Sequence, residues 1–211
     1  MSEEPQSLLE LRVLDGANIY FPRPAVKLTL DARRLLALDP DMATSVAERL
    51  GVPGSPRPGP LGSMQRDRFA ARVLAHLARR IATAARVRLA ARGRVGAEPG
   101  EVVVAFPWRR LTKAEALGNE IARVLDAIDS PDLDALIAAA GARVAATPPG
   151  AAPDVPVPAI PTVAVTGTNG KTTVTRLIAH IGRSAGLRVG WNNTDGIYLD
   201  GELVEEGDWS G

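Results

Sequence analysis

The sequence contains no cysteine, so disulfide bonds and thiolate metal sites are both excluded. Aromatic residues make up only 4% of the 211 residues, and no segment reaches the roughly 20 apolar residues that span a bilayer. The first residues, MSEEPQSLLELRV, are acidic and lack the long apolar core of a signal peptide. A net charge of +1 gives no electrostatic case for a nucleic-acid or membrane partner. These absences favour a soluble cytoplasmic protein.

Lysine is also scarce. Of the 25 basic residues only three are lysines, namely Lys27, Lys113 and Lys171. In such a sequence a surface cation is usually arginine, so a retained lysine points to a position where a guanidinium would not serve. Chance retention accounts for Lys27 and Lys113.

Residues 1–145 have the pattern of a small α+β domain. Alternating or continuous apolar residues between turn residues predict strands over 8–14, 24–30 and 101–106. Spacings of three and four predict five helices, over residues 31–38, 43–50, 64–93, 112–128 and 131–145. Ser130 and Pro131 are the expected N-cap and first residue of the last helix. Helices covering one face of a sheet would bury the apolar positions.

A different pattern follows a linker. Residues 146–161 are rich in proline and alanine without periodicity, which predicts a semi-rigid linker. The apolar run TVAV at 162–165 predicts a strand buried on both faces of a parallel sheet, with LRVGW at 187–191 as its parallel neighbour. Asp200 and Gly201 predict a hairpin turn. The intervening helix is predicted to end at Gly186 and to have one apolar face, formed by Val174, Leu177, Ile178, Ile181 and Ala185.

The segment TGTNGKTT at 166–173 joins the first predicted strand to that helix. Backbone N–H groups can surround a polyphosphate if the chain turns tightly, which favours Gly167 and Gly170. Lys171 would supply a compact charge to the β- and γ-phosphates, and Thr172 a hydroxyl to Mg²⁺. The predicted nucleotide-binding residues are Gly167, Thr168, Asn169, Gly170, Lys171, Thr172 and Thr173. The strict P-loop pattern requires glycine where Val165 stands, so a glycine-rich turn without a ligand is the alternative.

TGTNGKTT resembles the ATP-binding signature of the Mur ligase family, which includes the folylpolyglutamate and cyanophycin synthetases. NNTDGIYLDGELVEEGDWSG at 192–211 and LLELRVLDGANIYFPRPAVKLTLD near the N-terminus resemble segments of the cyanophycin synthetase-like members. The resemblance implies an α/β P-loop domain starting at residue 162 and using ATP and Mg²⁺. It implies Lys171 as the catalytic residue, Thr172 and Thr194 as metal ligands, and Thr194 near a second metal or the γ-phosphate. Asn192 and Asn193 stand where threonines are usual.

The resemblance also implies a reaction, in which ATP activates a carboxylate acceptor and an amino acid's amine then forms an amide. Cyanophycin synthetases carry an ATP-grasp domain where this chain has only residues 146–161, so one Mur-type site is expected. Because fifty residues follow from Thr162, we expect the N-terminal part of such a ligase, inactive as this chain. A non-catalytic nucleotide-binding or regulatory fragment and another P-loop enzyme, such as a small kinase, stay open. Residues 1–145 could instead have a structural or interaction role. The two histidines, His76 and His180, have no second ligand at a spacing typical of metal sites.

Overall fold

The computed structural model describes residues 5–54, 57–154 and 159–209. The chain folds into two compact units, Met1–Gly16 with Tyr20–Pro156 and Ala17–Ile19 with Val157–Gly211. The main boundary falls inside the predicted linker 146–161, whose residues 155–158 lie outside the described residues. No helix in the described ranges is both long enough and apolar enough to cross a membrane.

The first unit contains a four-stranded antiparallel sheet in the order β1-β2-β4-β3. Its strands are β1 (Leu8–Leu14), β2 (Ala25–Asp31), β3 (Arg92–Val95) and β4 (Glu101–Pro107). Alternate side chains of β2 and β4 enter the main core, namely Val26, Leu28, Leu30, Val102, Val104 and Phe106. The intervening side chains, Ala25, Val103 and Ala105, form a second small cluster with Tyr20 and Phe21.

Five helices share the main core with the sheet, which makes this unit α+β. They are α1 (Arg33–Ala37), α2 (Pro40–Arg49), α3 (Met64–Ala84), α4 (Leu111–Leu125) and α5 (Leu133–Ala146). The stripe predicted on α3 is buried, because Phe69 is 3% exposed and Val73, Leu77 and Ile81 are 0% exposed. The carboxylate of Asp39 caps α2 by accepting the N–H groups of Asp41 and Met42 at 3.0 and 2.9 Å.

The predicted helix over 64–93 is too long, and β3 was missed. The helix ends at Ala84 because Arg86 adopts a left-handed backbone conformation, with φ of 59°. The chain then returns along α3 as β3. Gly93 permits that close approach, since a Cβ there would lie 1.9 Å from the carbonyl oxygen of Ala71. Arginine is not a residue type that marks a helix end, and RGRV lacks the apolar alternation of a strand, so the sequence indicates neither the end of α3 nor β3.

The start of α5 also differs from the prediction. The helix begins at Leu133 with Asp132 at its N-cap, whereas Ser130 and Pro131 precede it. The Ser130 hydroxyl accepts the Asp132 N–H at 3.1 Å, so it stabilises a turn before the helix. After α5, the N–H of Leu111 donates to the Ala151 carbonyl at 2.8 Å, and this bond ties the first part of the predicted linker to α4.

The second unit consists of helix α6 (Lys171–Ser184) and a three-stranded antiparallel sheet in the order β5-β6-β7. The strands are β5 (Gly190–Asn192), β6 (Gly196–Leu199) and β7 (Glu202–Glu206). The predicted hairpin turn is confirmed: Asp200 and Gly201 have φ values of 51° and 100° and join β6 to β7. A hydrogen bond from the Val189 N–H, together with Arg188, lowers the pKa of the Asp200 carboxyl.

The predicted parallel arrangement is absent from the described residues. Residues 162–165 form no strand, and Val163 is 67% exposed. The strand predicted at 187–191 forms only as β5, and it pairs antiparallel with β6. A strand needs a hydrogen-bonded neighbour. The hairpin supplies one for β5, but no described residue pairs with 162–165.

Candidate functional site

The TGTNGKTT loop leads directly into helix α6. Gly170 is the N-cap residue and has a left-handed backbone, with φ of 80°, while its carbonyl accepts the Val174 N–H at 2.9 Å. This conformation is costly for residues with a Cβ, so Gly170 is required where the loop becomes a helix. Gly167 has no such requirement here, because its φ is not positive and an added Cβ would meet only Asn169 oxygen at 3.6 Å.

Lys171 is the first residue of α6, and its side chain folds back over the loop. Its Nζ donates a hydrogen bond to the carbonyl oxygen of Gly167 at 3.0 Å. The ammonium group is therefore held against the segment 167–170, where a phosphate on the loop would contact it. A bound anion would compete with the Gly167 carbonyl for the same charge.

The first turn of α6 presents unused backbone donors. Among the described residues, no acceptor contacts the N–H groups of Lys171, Thr172 or Thr173, as is usual for the first turn of a helix. These donors and the positive end of the helix dipole favour an anion at this position. Thr168, Asn169 and Thr173 are exposed beside them.

The structure brings Thr172 and Thr194 together, with their hydroxyl oxygens 3.3 Å apart. Thr194 lies in a tight turn between β5 and β6 that Asn193 organises. The Asn193 side-chain oxygen accepts the N–H groups of Asp195 and Gly196 at 2.8 and 3.3 Å. Asn193 is 3% exposed, so the turn is anchored in the second unit. Asn193 therefore has a structural role in holding this turn.

A second contact between α6 and this turn is not predicted by the sequence. Arg176 forms a salt bridge with Asp195, one helical turn after the contact between Thr172 and Thr194. Residues four apart share one face of a helix, so Thr172 and Arg176 both face the turn at 193–196. The spacing of four residues in the sequence therefore indicates that Thr172 and Arg176 lie on the same face of α6. The pairing itself depends on how the turn lies against the helix, which spacing does not determine.

The arrangement fits a polyphosphate with a divalent cation. Backbone N–H groups and one ammonium group meet at the helix start, and two hydroxyl oxygens lie together within one turn. Mg²⁺ usually keeps several waters and takes few protein ligands beside phosphate oxygens. In the described ranges no cluster of three histidine or acidic residues could hold a metal by itself. Any cation here would therefore take most of its ligands from phosphate oxygens and water.

No protein-family model matches the chain. A stretch of 52 residues is 64% identical to a cyanophycin synthetase from Geminocystis herdmanii (strain PCC 6308). Over 52 residues it is also 60% identical to the cyanophycin synthetases of Crocosphaera subtropica and of Synechocystis sp.. Each match covers 25% of this chain and 6% of the relative. One quarter of this chain is therefore similar in sequence to cyanophycin synthetases.

Proposed function

We propose that the chain is the ATP-binding N-terminal part of an ATP-dependent ligase that joins an amino acid to a carboxylate. The similarity to cyanophycin synthetases supports a ligase-like chain. The finer assignment is to the Mur ligase family, with one P-loop site and with the segment 146–161 where cyanophycin synthetases carry an ATP-grasp domain. The amino acid and the carboxylate acceptor are its expected substrates.

In this proposal the first residues of α6 bind the phosphates, and two threonine hydroxyls bind the cation. The N–H groups of Lys171, Thr172 and Thr173 bind phosphate oxygens, and the Lys171 ammonium exchanges the Gly167 carbonyl for a phosphate. The hydroxyls of Thr172 and Thr194 orient Mg²⁺. ATP supplies the phosphoryl group that activates the carboxylate. The protein contributes by positioning the phosphates and neutralising their charge.

One observation carries the proposal, namely the Lys171 ammonium held 3.0 Å from the Gly167 carbonyl immediately before the free donors of α6. A lysine on an ordinary helix surface would extend into water. Here it is kept over the loop that the sequence assigns to phosphate binding.

Nucleotide binding by the full chain tests this proposal. A fluorescent ATP analogue in Mg²⁺ should bind saturably, and Lys171→Ala should weaken binding by about tenfold or more through the loss of a charged contact. Lys27→Ala is the matched control, because Lys27 pairs with Glu10 in the first unit. Thr172→Val should weaken binding in Mg²⁺ but have little effect when the cation is chelated. Equal affinity in the Lys171→Ala and Lys27→Ala variants would contradict the proposal.

A further inference from the structure

The first unit contains a cavity of about 500 Å³ near the end of α3, the end of β4 and the start of α4. Ligand pockets commonly have volumes of about 300–1,000 Å³. Apolar side chains, among them Phe106, Trp108 and Leu117, form part of its wall. Six cationic side chains also line it: Arg23, Arg86, Arg88, Arg109, Arg110 and Lys113. No carboxylate of the described residues lines this cavity, so it combines an apolar wall with concentrated positive charge.

Four of these six charges have no acidic partner among the described residues. In the parts of the chain that the structure describes, the side chains of Arg86, Arg88, Arg109 and Arg110 form no ion pair. Elsewhere in the same unit arginines do pair with acids, as Arg34 does with Asp129. Concentrated like charge around one cavity is unfavourable without a counter-charge. The cavity therefore matches an anion.

The backbone at Arg86 supplies an independent indication. Arg86 follows the α3 cap residue in a left-handed conformation, with the Val87 N–H bonded to Ala82 oxygen and the Arg86 N–H to Thr83 oxygen. This is a Schellman turn, which usually has glycine at that position. The equivalent turns after α2 and α6 do have glycine, Gly51 and Gly186, with φ of 71° and 80°.

An arginine thus occupies the one turn of these three that borders the cavity. Left-handed backbone is unfavourable for a residue with a Cβ, so stability alone would favour glycine at position 86. Residues held in such conformations cluster at binding sites, where the side chain is needed. The strain and the unpaired guanidinium coincide in one residue, which favours a binding role for Arg86.

Trp108 adds an unsatisfied donor in the wall. The residue is 7% exposed, and its indole N–H is buried without a partner among the described residues. Buried donors are usually hydrogen-bonded, and each exception requires an explanation. An acceptor on a ligand in the adjacent cavity would supply one.

We propose that this cavity binds a small organic anion with an apolar body. The body lies against Phe106, Trp108 and Leu117, and the anionic head group is held by Arg86 and Arg109. Guanidinium groups bind carboxylates and phosphates in the same bidentate geometry, so the head group is one of these two. The site belongs to the first unit and involves no residue of the TGTNGKTT loop.

Three probes with one naphthalene body test the proposal on the full chain, namely 2-naphthoate, 2-naphthyl phosphate and the neutral 2-naphthylmethanol. Calorimetry should show saturable binding of at least one anion, about tenfold tighter than the alcohol, because charge-assisted bonds are lost in the neutral probe. Comparable binding of both anions indicates a shared anion site, and preference for one identifies the head group. Equal affinity for the alcohol and the anions would overturn the proposal.

Variants separate a binding role from a structural one. Arg86→Gly and Arg109→Gln should each weaken anion binding several-fold. Arg86→Gly should also keep or raise the midpoint of thermal unfolding, since glycine relieves the left-handed backbone. Arg68→Gln is the matched control, because Arg68 is exposed on α3 and does not line the cavity. An unchanged affinity in Arg86→Gly, or an equal loss in Arg68→Gln, would overturn the proposal.

Discussion

Helices α3 and α6 carry the same kind of apolar stripe in different surroundings. On α3, Leu77 is 0% exposed. On α6, Leu177 is 56% exposed and Ile181 is 59% exposed. Both helices form where spacings of three and four predict them, although α3 ends earlier than predicted. The two helices have similar apolar patterns in sequence, but the apolar face of α3 is buried and that of α6 is exposed.

The difference shows what periodicity does and does not determine. An apolar stripe fixes which residues share one face of a helix. Burial of that face requires a second layer, and in the first unit α3 has the sheet, α4 and α5 against it. In the second unit the described residues supply three short strands, and α6 packs mainly on β5.

The largest expected effect comes from a matched pair of truncations. Leu77→Ala should lower the free energy of unfolding by about 2–5 kcal/mol, because it leaves a cavity in a packed core. Leu177→Ala should cost about 0.5 kcal/mol or less, since its side chain is already in contact with water. Urea unfolding followed by circular dichroism measures both. Equal losses would show that the stripe on α6 is buried in solution.

A smaller effect separates a sheltered ion pair from an exposed one. In the first unit Glu120 is 5% exposed and accepts two bonds from Arg143, at 2.9 and 2.7 Å, which raise the pKa of that guanidinium. Arg143→Met should cost about 1–2 kcal/mol, because it removes both hydrogen bonds from Arg143 to a buried carboxylate and leaves Arg123 at 3.6 Å as its remaining cationic partner.

The exposed counterpart is the pair of Arg188 and Asp200 in the second unit, at 3.2 Å. Arg188→Met should have a much smaller effect than Arg143→Met, since water and salt screen the exposed pair. Denaturant unfolding of the two variants gives the comparison. A larger loss of unfolding free energy for Arg188→Met than for Arg143→Met would mean that exposure does not determine which ion pair stabilises the fold more.

The smallest effect is a pH dependence in the first unit. Burial lowers the pKa of His76, and the positive charges of Arg79 and Arg72 lower it further. Arg92 and Arg94 of β3 line the same cleft. Below the ordinary value of 6.5 the unfolded chain therefore binds a proton that the folded chain resists.

Stability should consequently fall as the pH decreases from about 6.5 to 5, by less than about 1 kcal/mol. His76→Gln should flatten this slope, whereas His180→Gln in the second unit should retain it. Thermal unfolding across this range gives the slopes. An identical slope in His76→Gln and the parent would contradict the assignment.

The sequence predicted the elements whose signal is local. Strands β1, β2 and β4 follow their apolar patterns, and the turn at Asp200 and Gly201 follows its residue types. It missed β3, because an arginine ended α3 where glycine would be the recognisable residue. The apolar run at 162–165 predicts a buried strand. No strand forms there, because no described residue pairs with this segment.

The candidate site divides in the same way. The motif identifies Gly170, Lys171 and Thr172 from residue types and order alone. The contact of Thr172 with Thr194 depends on a turn anchored by a buried asparagine, which no local pattern specifies. The sequence therefore predicts which groups form the candidate site, whereas their geometry depends on tertiary structure.

Hydrogen exchange of the full chain tests the central claim most directly, because that claim concerns backbone amides. Adding ATP and Mg²⁺ should slow amide exchange in peptides that cover residues 167–173, and Lys171→Ala should abolish the protection. Unchanged exchange in this loop at saturating ATP, or protection confined to the first unit, would contradict nucleotide binding at the start of α6.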